Sequence, residues 1–293
     1  MSKDKPIVLG IDFNNMLIGS YYGEKLYNSK GMNVNAVKGF FFRLKMLKDI
    51  FNPDYILFAN DLSRERTFRR KLYKPYKAQR KELDPEIPPQ MQAASQIVAL
   101  LGYKFINNEE YEADDILGMI SRYANERDMY MIIASSDRDL YQLITNDTFI
   151  YSPRNKDLID KPFMYNKYKL LPDQWVEYKM LLGDNSDNIP GIPGIGEVTA
   201  MRLMQEFKSI DEIYKHLNSL KPAIRESLLK HKDQLPLTRE LVTIITDHTK
   251  IELNDECFKR NEIFIGELYK LINDLEIYSL IDIMKYSLIY DKI

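Results

Sequence analysis

The stretch Ile7-Val8-Leu9-Gly10-Ile11-Asp12 decides how this chain is read. It runs apolar without alternation, is rich in β-branched residues, and ends on a carboxylate. Such a run describes a strand covered on both faces, as in a parallel sheet. The pattern repeats three times. Tyr55-Ile56-Leu57-Phe58-Ala59 is opened by Asn52-Pro53-Asp54 and followed by Asp61. Residues 103–106 lead to Glu112, and residues 130–134 lead to Asp137. Residues 34–51, 88–102 and 113–127 carry helical patterns between the strands, the second opened by Pro88 and closed by Gly102. Strand and helix in alternation predict an α/β fold, a parallel sheet flanked by helices. Ligands of such sheets bind outside the carboxyl ends of the strands. Four loops are therefore expected to bring acids to one sheet edge.

From Pro172 onward the patterns are mostly helical, broken at Gly183, Gly191 to Gly196, Pro222 and Pro236. Two units are expected, 1–171 as the α/β core and 172–293 as a helical domain, joined near Lys169-Leu170-Leu171-Pro172-Asp173. The 293 residues are 45% apolar, enough for a substantial core. The lone Cys257 rules out an internal disulfide framework and fits a reducing cytoplasm. The apolar run at the start is too short for a signal peptide, and no run approaches a membrane span.

Nine carboxylates fall in five clusters: Asp12; Asp61; Glu112, Asp114 and Asp115; Asp137 and Asp139; Asp184 and Asp187. Asp12 alone could be a loop-entry residue, and Asn60-Asp61 a turn pair. Glu112-Ala113-Asp114-Asp115 exceeds what capping and the helix dipole require. Like charges crowded together resist ionisation unless a cation compensates. Oxygen-only clusters suit hard divalent ions, which act with substrate phosphates. The pattern predicts a metal-dependent site for phosphate esters.

Gly191, Gly194 and Gly196 form a hairpin between two apolar helices, residues 173–182 and 197–207. Such glycines let backbone N–H groups approach a phosphate, whereas the bland reading is a tight interhelical turn. EF-hand spacing is missing, and no strand precedes the hairpin as a dinucleotide fingerprint requires. Residues 64–81 hold nine cations (Arg64, Arg66, Arg69, Arg70, Lys71, Lys74, Lys77, Arg80 and Lys81) against one acid, Glu65, interleaved with Phe68, Tyr73 and Tyr76. Cations that track a backbone and rings that stack bases suit single-stranded nucleic acid; the bland reading is a solvated helix face. The net charge of −2 hides this, since without the nine clustered acids the balance is +7. His216, His231 and His248 have no ligand spacing, and Cys257 has no nucleophile pattern.

Together these residues resemble the 5′-nuclease family: the 5′→3′ exonuclease domain of bacterial DNA polymerase I, its standalone relatives and the flap endonucleases. The resemblance runs over residues 7–249. It rests on Tyr111-Glu-Ala-Asp-Asp-Ile-Leu117, Asp137-Arg-Asp-Leu-Tyr-Gln-Leu143, Pro172-Asp-Gln-Trp175, residues 183–188 with 191–200, and Leu220-Lys-Pro-Ala-Ile-Arg-Glu226. It implies a PIN-like nuclease core, a helical arch over 62–90, and a helix-hairpin-helix motif near 183–207. It further implies two divalent cations, Mg2+ or Mn2+. Asp12, Asp61, Glu112, Asp114 and Asp115 resemble the first ion's surroundings. Asp137, Asp139, Asp184 and Asp187 resemble the second's. Lys77 and Arg80 join Asp12 and Asp61 as expected catalytic residues. Arg69, Arg70, Tyr76, Lys77, Arg80, Gly191, Gly194 and Gly196 are expected on DNA, with K+ at the hairpin.

The sequence departs from the family in two places. Bacterial members usually carry Phe-Asp-Ala-Lys where this strand ends Phe58-Ala59-Asn60-Asp61, and Phe13 follows Asp12 where a small residue is common. The expected activity is cleavage of DNA flaps and 5′ ends, RNA-primed ends included, by a monomeric, cytoplasmic, standalone nuclease. The rivals are a non-catalytic branched-DNA binder and an RNA-cleaving relative.

Overall fold

β1 (Ile7–Asp12) lies at the centre of a six-stranded sheet and is buried along almost its whole length. The structure is a computed structural model that describes residues 5–62 and 65–289, so Arg64 lies outside it. After β1 come α1 (Phe13–Tyr21), α2 (Asn35–Phe51), β2 (Tyr55–Ala59), α3 (Phe68–Leu72), α4 (Ile87–Leu100), β3 (Lys104–Ile106) and α5 (Ala113–Asn125). β4 (Tyr130–Ala134) leads through a 3-10 turn, Asp139–Leu143, to β5 (Thr148–Ser152), β6 (Asp157–Ile159) and α6 (Lys161–Tyr168). The remaining helices are α7 (Trp175–Leu182), α8 (Glu197–Phe207), α9 (Ile210–Lys215), α10 (Pro222–Lys230), α11 (Leu235–Val242), α12 (Asp255–Phe258), α13 (Ile265–Leu275) and α14 (Ser279–Ile283).

The strand order is β3-β2-β1-β4-β5-β6. The first five strands are parallel, and β6 closes the edge antiparallel to β5, so the sheet is mixed. β2 and β3 lie on one side of β1 and β4 on the other. The chain reverses direction across the sheet between β1 and β4, which is where an α/β crevice opens. β5 and β6 were not anticipated: Thr148 and Ser152 at its ends shorten the apolar run of β5, and β6 (Asp157-Leu158-Ile159) is too short and polar to read as a buried strand.

Two apolar clusters cover the two faces. One joins α5 to the helices from Trp175 to Val242. The other joins α1, α2 and α4 to Leu268, Ile272, Leu275, Leu280 and Ile283 of the last helices. The segment after residue 264 therefore packs on the α/β core and not with α7 to α11. α13 turns one apolar stripe onto α4, and α14 with the residues after it covers α2. Close packing reaches the sheet itself: a Cβ on Gly10 would lie 2.3 Å from Met131 Cε and 2.9 Å from Leu117 Cδ2 of α5. Among the described residues no helix is long and apolar enough to cross a membrane.

Candidate active site

A cleft of about 790 Å3 opens at the β1–β4 crevice. Asp12, Asp61, Glu112, Asp114, Asp137 and Asp187 line it, together with Lys77, Arg80 and Arg154. Six of the nine expected carboxylates thus converge from segments up to 175 residues apart. Asp115, Asp139 and Asp184 do not line it.

Asp12 ends β1 and caps α1. Its Oδ1 accepts from Asn15 N at 3.1 Å and its Oδ2 from Ser135 Oγ at 2.8 Å, across the β1–β4 junction. Burial pushes the carboxyl up to about 7; the Asn15 hydrogen bond opposes the shift, and Asp61 and Asp137 add repulsion. Asp61 accepts from Ala113 N at 2.7 Å and from Asn14 Nδ2 at 3.3 Å, and so sits against the first turn of α5. Asp114 is driven well above the ordinary carboxylate range by burial, then by Asp137 and Asp12. Asp137 accepts from Asp139 N at 2.9 Å and turns the chain after β4.

Glu112 is the N-cap of α5 and the anchor of the basic segment. It accepts from Lys77 Nζ at 2.5 Å, Tyr76 Oη at 2.7 Å and Arg69 Nη1 at 3.1 Å. Asp187 pairs with Arg80, accepts from Tyr76 Oη at 3.2 Å and lies 3.6 Å from Lys77 Nζ. The backbone N–H of Lys77 also donates to Asp187 O at 2.8 Å. Lys77 has φ +53°, a left-handed conformation that this double attachment holds in place.

The expected helical arch takes a different form. Within 65–86 only α3 is helical, and from the turns that follow it Tyr76, Lys77 and Arg80 meet Glu112 and Asp187. Pro75 and Pro85, with the left-handed Lys77, interrupt any longer helix. Three expected DNA contacts are turned inward. Arg69 is 3% exposed and its guanidinium is fully engaged, with Asp115 at 2.6 and 2.8 Å, Leu241 O at 2.8 Å and Thr243 O at 2.8 Å. Arg70 donates to Lys74 O and to Tyr76 O, closing the turn. Tyr76 is 4% exposed, with its hydroxyl spent on the acids, so its ring presents no face to a base. Lys77 and Arg80 do reach the cleft.

Asp115 is fully buried. Besides Arg69 it accepts from Glu112 N at 3.1 Å and Ile245 N at 2.9 Å. Its oxygens are consumed by this network, which makes it a structural partner of Arg69. Asp139 and Asp184 are joined by a residue the sequence did not flag, Lys179 on α7, at 2.6 and 2.5 Å. Burial pushes Asp139 up to about 6 with Asp137 adding to it, against the pull of Lys179. A single lysine in a short apolar helix carries no sequence record of which distant acids it will meet.

In the hairpin, a Cβ on Gly191 would meet Leu182 O at 2.2 Å, and Gly194 has φ +81°. Internal geometry alone requires both glycines. Gly196 caps α8 with nothing within 4 Å of an added Cβ, so it leaves room for an approaching phosphate.

Among the described residues, no three His, Cys, Asp or Glu side chains are arranged to hold a metal ion as they stand. The donor chemistry nevertheless fits a hard cation. The cleft acids are all oxygen donors, and two of them, Asp12 and Asp114, are raised by burial and then by neighbouring acids, a charge crowding that a cation would relieve; magnesium characteristically uses few carboxylates, several waters and substrate phosphates.

A doubly wound sheet with an acidic cleft at its switch point, joined to a helical hairpin unit, defines a resolvase-like nuclease fold. Residues 7–169 match the family model for the 5′-3′ exonuclease N-terminal resolvase-like domain, and residues 170–263 that for its C-terminal SAM fold. The chain belongs to the 5′-3′ exonuclease family. It is 36% identical over 276 residues to the thermostable DNA polymerase I of Thermus aquaticus, covering 94% of this chain and 32% of that one. It thus spans about a third of the length of that polymerase. It is 35% identical over 256 residues to a 5′-3′ exonuclease of Halalkalibacterium halodurans, covering 83% of this chain and 84% of that one. A bacteriophage T5 flap endonuclease complex with DNA and metal ions shares the fold at TM-score 0.65 and 18% identity, over 95% of this chain and 98% of that one.

Proposed function

We propose that this protein is a structure-specific 5′ nuclease that hydrolyses phosphodiesters in DNA carrying a 5′ flap, nick or free 5′ end. The observation that carries the reading is the convergence of six carboxylates with Lys77 and Arg80 in one cleft at the β1–β4 switch point. Membership of the 5′-3′ exonuclease family supports it.

Asp12, Asp61, Glu112 and Asp114 would hold one divalent ion, Mg2+ or Mn2+, and Asp137 and Asp187 a second, with Asp139 and Asp184 reached through rearrangement of Lys179. When bound, such ions lower the pKa of a coordinated water and neutralise charge on a leaving oxygen. Lys77 and Arg80 orient the scissile phosphate and offset its negative charge. The hairpin would grip duplex DNA through Gly196 and its neighbouring amides, with K+ among its backbone carbonyls. RNA-primed ends fall within this substrate class, because the contacts read phosphate and shape. The reading assigns 1–171 to chemistry and α7 to α11 to duplex binding, in a monomer, with the segment after residue 264 bracing the α/β core and not extending the duplex-binding unit.

The test is cleavage of a 5′-labelled flap duplex in magnesium and in chelator. Magnesium-dependent cutting near the single-strand junction is the expected result. Tight binding without cutting, in magnesium or manganese, would make this a branched-DNA binding protein.

A further inference from the structure

α11 is tied to the hairpin at one end and to both acid groups at the other. At its N-terminal end Gln234 Nε2 donates to Gly191 O at 2.9 Å, and from mid-helix Thr238 Oγ1 donates to Pro190 O at 3.3 Å. Thr238 is fully buried. At its C-terminal end, three successive carbonyls that a helix terminus ordinarily leaves unpaired are taken up by core side chains. Arg69 donates to Leu241 O and Thr243 O, both at 2.8 Å, while holding Asp115 and Glu112. Gln142 Nε2 donates to Val242 O and Asp139 O, both at 3.0 Å, and its Oε1 accepts from Ile244 N at 2.9 Å.

One end of an eight-residue helix, roughly 12 Å long, therefore holds the hairpin, while the other is fastened separately to the acid groups around Glu112 and Asp139. Hydrogen-bonded helices move as units, and close-packed interiors transmit displacement instead of absorbing it. We infer that α11 is the gauge that sets where the cut falls relative to the gripped duplex. Arg69 and Gln142 are its positioning residues. The inference rests on the nuclease reading above and adds to it the element that converts duplex position into cleavage position.

The full chain carrying Gln142→Ala or Thr238→Val tests it. Neither change removes a charge, whereas Arg69 variants would leave the buried Asp115 without its counter-charge. The first readout is hydrogen exchange at the Ile192 and Ile195 amides, which close the hairpin onto Leu181 O and Ile192 O. In Gln142→Ala these amides are expected to exchange severalfold faster although the substitution lies at the far end of α11. The second readout is the product length from a fixed 5′-labelled flap in magnesium. Both variants are expected to shift or spread the cut by one or more nucleotides. Unchanged hairpin exchange, or a slower reaction with wild-type product lengths, overturns the gauge. If the wild type does not cut, the nuclease reading fails and the exchange measurement still decides the mechanical coupling. If Gln142→Ala does not fold, the Thr238→Val product pattern decides.

Discussion

Lys179 bridges Asp139 and Asp184, two carboxylates 45 residues apart, at 2.6 and 2.5 Å. It supplies positive charge inside the acidic site from a helix that otherwise packs in the core. Lys179→Met leaves both acids without a counter-charge. Removing one partner of a buried ion pair costs about 3 kcal/mol. In chelator, Tm is expected to fall by roughly 5–10 °C, with much of the loss recovered in magnesium. Equal losses in the two conditions would place Lys179 in packing alone.

Asp137→Ala with Asp139→Ala removes both carboxylates that follow β4. Flap cleavage is expected to fall by at least about a thousandfold, with binding measured in chelator changed little. Robust cutting by this variant would take the β4 acids out of the reaction.

Lys77→Ala deletes the cation that lies between Glu112 and Asp187 in the cleft. Flap turnover is expected to drop about a hundredfold or more, and the double variant with Arg80→Ala further. Single-turnover rates at saturating enzyme separate this from weakened binding. An unchanged single-turnover rate would leave Lys77 as an anchor of the basic segment only.

Asp12 and Asp139 are raised to about 7 and about 6, from an ordinary value of 3.8. The unfolded chain loses these protons near pH 4, whereas the folded chain keeps them until pH 6 to 7. Stability of the metal-free protein is therefore expected to decline as pH rises through that window. Magnesium is expected to flatten the decline. Thermal unfolding at pH 4.5 to 8 in chelator checks it, and a Tm that climbs across the window would show that other groups dominate.

Glu86 collects four side-chain donors: Lys25 at 2.8 Å, Asn33 at 3.0 Å, and Tyr27 and Tyr21 at 2.9 Å each. Together they hold its carboxyl down at about 2. A depressed acid stabilises the fold above its ordinary value of 4.5 and loses that contribution as pH falls toward 2. Glu86→Gln is expected to shift acid unfolding to higher pH. It is also expected to raise protease sensitivity in residues 22–34, the loop those donors secure. Identical acid unfolding curves would show that the loop is held elsewhere.

β1, β2 and β4, and the acids that follow them, are legible for one reason. A strand buried on both faces must be apolar throughout, so its end is marked by the first charged residue, as at Ile11-Asp12. β6 escaped because an edge strand needs no such run. α1 escaped because it begins immediately after Asp12, with Asn14 and Asn15 reading as loop. The inward roles of Arg69 and Tyr76 escaped for a different reason. A basic, aromatic segment has the same composition whether it faces DNA or folds onto its own acids.

The sequence by itself determined four of the six strands, the acid-bearing strand ends and the glycine hairpin, because burial, turn geometry and like-charge crowding act locally and leave local marks. Only the tertiary structure decided which acids share the cleft, that Asp115 belongs to Arg69, that Lys179 joins Asp139 to Asp184, that α13 returns to the first core, and that α11 spans from hairpin to acids. Each of these depends on partners far apart in sequence, and a charge or a carbonyl carries no record of which distant group will satisfy it once water is excluded.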